Sequence, residues 1–320
     1  MNVLDFRRLV DKSYVITRLK GTDIEKGSNV AMDDLYGILK DKNDQLLSEL
    51  EEQYGFAGKT SLNIFEGVGF PESSKKNENF KKLLKDFINS TTPGIIKDDL
   101  PLNKELHPPL GVQPVINLIK EREDGYLIQF VHGIPKQVVD GWTVRTIMKP
   151  QLETVIVRLT SPVFVEVRSG FRQCNQYLSL IQTIVGCKPG EIEWIPLTKL
   201  TEKEAERIAE LLDAGLVEAE HLGTGIYGKK TVSAAEGINL RNEDEYREDF
   251  HGLSYLSQTM NVKYTDTSGY IANISFKVQM NGGFQFLSKV NESIITTVID
   301  AFVQVRYLDK IHTEQIAASN

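Results

Sequence analysis

Arg145, Lys149, Arg158 and Arg168 fall on strand-like segments where they alternate with apolar residues. A row of guanidinium and ammonium groups on one sheet face is the chemistry that meets phosphates or carboxylates. By alternation, Val144, Thr146 and Met148 share a face with Trp142, while Arg145 and Lys149 take the other; Arg158 opposes Val157 and Leu159, and Arg168 opposes Val167. The apolar face is expected to lie under a helix at 171–185. That leaves the four cations on an open face, as a platform for nucleic acid or an acidic protein, or simply as a solvated sheet surface. Lys229 and Lys230 follow a glycine-rich run and form a second candidate contact for a polyanion.

Asp140, Glu166 and Arg168 suggest a different chemistry. A restriction-type nuclease holds Mg²⁺ with an Asp and a Glu on adjacent strands, with a basic side chain two residues past the Glu. The segment Val163-Phe164-Val165-Glu166-Val167-Arg168 fits that order, with Arg where Lys is usual, and Asp140 adjoins Gly141 in a turn-forming pair. The plainer use of the same residues is a cross-strand ion pair between Glu166 and Arg158 in a hairpin centred on Pro162.

Other motifs exclude more than they suggest. Gly55-Phe56-Ala57-Gly58-Lys59-Thr60 has two residues between its glycines where a phosphate-cradling loop needs four, so a turn closing the preceding helix accounts for it better. Gly223-Thr224-Gly225-Ile226-Tyr227-Gly228 matches GxGxxG, but the residues after it are short and β-branched, so a hairpin loop is expected in place of a dinucleotide site. The five histidines have no metal-ligand spacing, and Cys174 and Cys187 lie 13 apart without a companion CxxC. No metal site and no cofactor is indicated, and no GxSxG or Cys-His signature marks a covalent hydrolase.

Positioning such residues takes elements, and their order is legible. At 320 residues the chain has room for two or three cores. An apolar share of 41% with 25% charged residues is that of a globular protein. No apolar run reaches the roughly 20 residues of a membrane span. The opening residues carry charges where a secretory signal needs its apolar stretch, so a cytoplasmic protein is expected. The net charge of −7 is unevenly spread: residues 126–200 carry 8 basic and 5 acidic side chains, and 201–250 carry 6 and 13.

Helical spacing of Leu35, Ile38, Leu39, Leu46, Leu47 and Leu50, and again of Phe80, Leu83, Leu84 and Phe87, predicts a helical N-terminal domain over 1–90. Within it, Ser13 to Thr17 reads equally as a short strand. Prolines at 93, 101, 108, 109 and 114 predict a linker over 91–120. Two strand-rich units follow, at 121–190 and 251–320, each a hairpin with a helix the same distance after it: Pro162 to Phe171 and Gly282 to Asn291 are both nine residues. Between them, 191–250 reads as an acidic helix-hairpin insertion, with Thr201 and Glu204 in capping-box relation and a two-stranded, wing-like hairpin. The tail TEQIAASN is expected to fray.

The fold class is therefore α+β with an internal duplication, and the two units could pair into one continuous antiparallel sheet. At the level of fold alone, that arrangement resembles the saddle of the TATA-binding proteins. The expected function is a regulatory or assembly protein, non-enzymatic, binding nucleic acid or a protein partner through the open basic face. The alternatives are a metal-dependent nuclease and a purely protein-binding component, and a homo-oligomer is open.

Overall fold

The structure is a computed structural model that describes residues 1–308 apart from Lys59, Lys97 and Thr267. Lys59 of the Gly55–Thr60 run, His312 and the tail TEQIAASN lie outside the described residues. Residues 1–61 and the described residues from 197 onward form one compact unit, and residues 62–196 form another.

The chain opens with α1 (Val3–Leu9), α2 (Lys12–Leu19), α3 (Met32–Lys42) and α4 (Asp44–Tyr54). Three of them start on side chains that accept from otherwise orphaned amides: Asn2 for α1, Asp11 for α2 and Asn43 for α4. The Asp11 cap settles the ambiguous stretch Ser13 to Thr17 as helix. Leu35, Leu39, Leu46, Leu47 and Leu50 are buried, as their spacing requires.

The second unit is built on β1 (Asn63–Val68), β2 (Val115–Arg122), β3 (Gly125–Asp140), β4 (Thr143–Arg158), β5 (Phe164–Arg168) and β6 (Glu193–Pro196), with α5 (Asn77–Thr91) and α6 (Cys174–Ile184). The strands form one antiparallel sheet in the order β2-β3-β4-β5-β1-β6. Period-two alternation sends Tyr126, Ile128, Phe130, Val155, Val157, Val165 and Val167 to one face. There they share a core with Phe80 and Leu84 of α5 and with Cys174, Tyr177, Leu178 and Ile181 of α6. The Tyr126 hydroxyl donates to the carbonyl of Asn77 at 3.1 Å, so the ring is buried without leaving its polar end unmet.

The first unit resumes with α7 (Glu202–Leu211), β7 (Gly215–Leu222), β8 (Lys229–Ser233), α8 (Asp244–Asp249), β9 (Tyr255–Thr265), β10 (Ile271–Gln279), β11 (Phe284–Phe286) and α9 (Glu292–Val303). Its sheet runs β11-β10-β9-β7-β8, all antiparallel. Ile274, Phe276, Val278, Phe284 and Phe286 are buried along with Ile295, Val298 and Phe302 of α9, and Phe284 meets Phe302 edge to face at 5.3 Å. Thr201 and Glu204 close the expected capping box on α7.

The fold is α+β, and both matched segments form a hairpin followed by a helix. Three expectations need correction. Among the described residues the strands form two sheets, of six and five strands, and not one continuous sheet. The region expected to be a helical domain over 1–90 contains β1, which pairs with β5 and β6, while α5 packs in the core of the 62–196 unit; the apolar periodicity of two helical stretches hid a six-residue strand between them. The wing-like hairpin at 215–233 is not a free wing or an insertion: β7 pairs with β9 and lies inside the five-stranded sheet. Among the described residues no helix is long and apolar enough to cross a membrane.

Candidate interaction site

β3 and β4 are each 16 residues long, and their antiparallel register is unbroken from Gly125↔Arg158 to Asp140↔Thr143. At about 3.3 Å per residue each is roughly 53 Å from end to end, whereas an 11-residue helix such as α6 covers about 16 Å. The sheet core therefore ends near Val131 and Glu153. Beyond it, every residue from 134 to 150 is exposed. The distal half of the pair is a two-stranded arm about 23 Å long with solvent on both faces.

Directly paired residues of an antiparallel ladder point to the same side, so the register assigns the arm's faces. One face carries the pairs Ile134/Lys149, Lys136/Ile147, Val138/Arg145 and Asp140/Thr143. The other carries Gly133/Pro150, Pro135/Met148, Gln137/Thr146 and Val139/Val144. All four charges of the arm lie on the first face, and the second has none. Arg145 is ion-paired with Asp140 at the tip, and Lys136 and Lys149 make no ion pair among the described residues. Three cations against one carboxylate leave the arm at +2. Apolar side chains stand in water on both faces, with Val139 73% exposed, Val144 63% exposed and the tip Trp142 fully exposed.

The expected four-cation platform does not form, for two reasons. β4 is a single strand from 143 to 158, so Arg145 and Lys149 have the parity of the core-facing Val155 and Val157, and Arg158 has the opposite parity. Treating 142–148 and 154–160 as separate strands concealed that difference. Arg158 and Arg168 do oppose the core face as expected, but they are not open: Arg168 is buried, and Arg158 is largely so. Both meet the buried carboxylate of Glu166, with Arg168 Nε donating to Glu166 Oε1 at 2.6 Å and Arg158 Nη2 to Glu166 Oε2 at 3.4 Å; Arg158 also pairs with Asp124. Opposing carboxylates hold the Arg158 guanidinium firmly protonated against the opposing effect of burial. The ion pair between Arg158 and Glu166 thus exists, on a diagonal, because Glu166 is registered with Ile156 and Arg158 with Phe164.

The nuclease arrangement is overturned by the same register. Glu166 lies across from Ile156 and Asp140 across from Thr143, thirteen residues along β4, or about 43 Å. One metal ion cannot be shared over that span. Among the described residues no cluster of three His, Cys, Asp or Glu side chains could hold a metal. Trp142, Val144 and Met148, expected under the helix at 171–185, lie beyond its reach on the arm.

Lys229 and Lys230 sit at the start of β8, where Lys229 pairs with Glu220 at 3.4 Å. The glycine run before them is the expected hairpin loop, closed by the Gly223 amide donating to the Gly228 carbonyl. Near it a pocket of about 280 Å³ is lined by Glu202, His221, Tyr246, Arg247, Phe250 and Tyr255 among others. His221 Nδ1 lies 3.3 Å from the Leu253 carbonyl, which only accepts, so this nitrogen carries the proton and Nε2 accepts from the Tyr246 hydroxyl at 2.9 Å. Burial lowers the pKa of His221 and keeps the ring neutral, as a core histidine held in place by its neighbours. Cys174 is buried under the sheet, and burial pushes its thiol up to about 12, which removes it as a nucleophile.

Ile134, Lys136, Val138, Val139 and Ile147 were not singled out from the sequence. The available signal was the turn-forming Asp140-Gly141 with β-branched residues close on either side, Val138, Val139, Thr143 and Val144, which marks a hairpin. No protein-family model and no curated protein matches the chain, so the arm's role is argued from its physical chemistry.

Proposed function

We propose that the protein is a non-enzymatic assembly or regulatory component that works by inserting its β3–β4 arm into a protein partner. The observation that carries this is the exposure of apolar side chains on both faces of a two-stranded arm. A lone hairpin is marginal in water, and a contiguous apolar surface is the usual mark of a binding site. A partner that closes over the arm would supply the missing layers. The charge-free face of Pro135, Val139, Val144 and Met148 supports protein over nucleic acid, because a phosphate backbone gains nothing from it. Two free thiols, one of them buried, fit a reducing compartment and support a cytoplasmic setting.

A second reading is favoured by Lys136, Arg145 and Lys149 on one face: a basic two-stranded ribbon suits the major groove of duplex DNA. One test separates the two. A photo-crosslinking amino acid at Val139, on the charge-free face, should yield a discrete protein adduct in cells that make the protein. An adduct to nucleic acid alone would favour the second reading, and no adduct would count against the arm as a binding element.

A further inference from the structure

We infer that the arm's partner is a second copy of this chain, engaged through the acidic run at 242–249. The inference rests on the arm being a protein-binding element. The arm is at +2, which leaves −9 on the rest of the chain. Residues 242–249 concentrate that charge: five carboxylates against the single Arg247, all exposed, with Tyr246 as the one buried member. Arg247 is committed to Asp244 at 2.6 Å, and Glu243, Glu245, Glu248 and Asp249 make no ion pair among the described residues.

The acidic run is also held in place. Tyr246 of α8 is fixed by its hydrogen bonds to His221 and Tyr255 and by ring contact with Phe250 at 5.2 Å, so the carboxylates are presented from an ordered element. Lys149 lies four residues from Arg145, about 13 Å along the strand, and the acidic run combines the six helical residues of α8, about 9 Å, with the extended Glu243 before them. Each charged surface is exposed on its own unit, where a second copy can reach it. Taken over both faces and its edges, an arm of this size offers on the order of 800 Å², which is what one partner contributes to a standard interface. One face alone offers well under half of that. The second copy must therefore cover the neutral face as well.

The test is sedimentation velocity of the purified full chain at low and high salt. Self-association is expected at low salt, weakened about tenfold or more at high salt because exposed charge pairs are screened. Reversing the arm (K136E, R145E, K149E) should return the protein to monomer, and so should reversing the acidic run (E243K, E245K, E248K). Mixing the two reversed proteins should restore association, since each then presents a charge complement to the other. K136Q with K149Q, a gentler change that keeps the arm's shape, should weaken association by roughly tenfold. A wild type that stays monomeric at about 100 µM in low salt, or an association indifferent to the arm variants, would overturn the inference. Failure of the mixed sample to associate would overturn its assignment to the acidic run. A monomeric wild type that still crosslinks from Val139 to another protein in cells would remove this inference and leave the protein-binding arm standing.

Discussion

Glu166 offers two roles in the sequence, a metal ligand beside Arg168 or a cross-strand ion-pair partner of Arg158, and the structure forms the second: it is a buried carboxylate shared by Arg158 and Arg168. Glu166→Ala should lower stability by about 3–5 kcal/mol, the usual cost of breaking a buried ion pair, measured by denaturant unfolding. A loss below 1 kcal/mol would mean that the site relaxes or hydrates freely. Glu153, near the root of the arm, behaves differently. Burial raises its pKa above the ordinary value, outweighing the hydrogen bond donated by Gln151. A carboxyl with a raised folded pKa contributes its stability at low pH, below about 4.3, and loses it as pH rises through the folded value. Glu153→Gln should therefore raise the melting temperature at pH 7 and leave it nearly unchanged at pH 4. A destabilised variant at pH 7 would show that the ionised carboxylate is the form the fold prefers. The Arg158–Glu166 pairing was legible from the hairpin alone, but the burial of Arg168 was not, since alternation gives the side of a sheet and not what covers it.

At the scale of elements, the sequence carries local order well and length poorly. The capping box of Thr201 and Glu204, the stripe of α9 and both hairpin-to-helix spacings formed as expected. Each sheet contains a four-strand antiparallel run with a helix after its last strand: β2-β3-β4-β5 then α6, and β7-β9-β10-β11 then α9, with β8 added outside β7. What spacing could not give was the continuity of β4. Val144 to Met148 and Val155 to Val157 have opposite apolar parities within one strand, because the first part has no core beside it and the second does. A pattern that flips parity reads as two strands. The arm, being outside the core, should contribute little to folding. Replacing 134–149 by an Asn-Gly turn between Gly133 and Pro150 should leave the melting temperature within a few degrees of wild type, since only exposed residues are removed. A large drop would place the arm in the stability of the sheet.

At the scale of the whole molecule, an acidic chain carries a basic two-stranded arm whose two faces differ in chemistry, and among the described residues no cluster of three His, Cys, Asp or Glu side chains could hold a metal. That combination is what an assembly component requires: a stable body, and an extension whose apolar side chains are left for a partner to cover. The most direct measurement is the native size of the protein in extracts of cells that make it, with wild type compared against the arm-shortened variant by gel filtration and immunodetection. Wild type should elute well ahead of a 36.1 kDa monomer, and the shortened variant at the monomer position with its melting temperature kept. Wild type at the monomer position, or both proteins in the same large complex, would contradict the assignment of function to the arm.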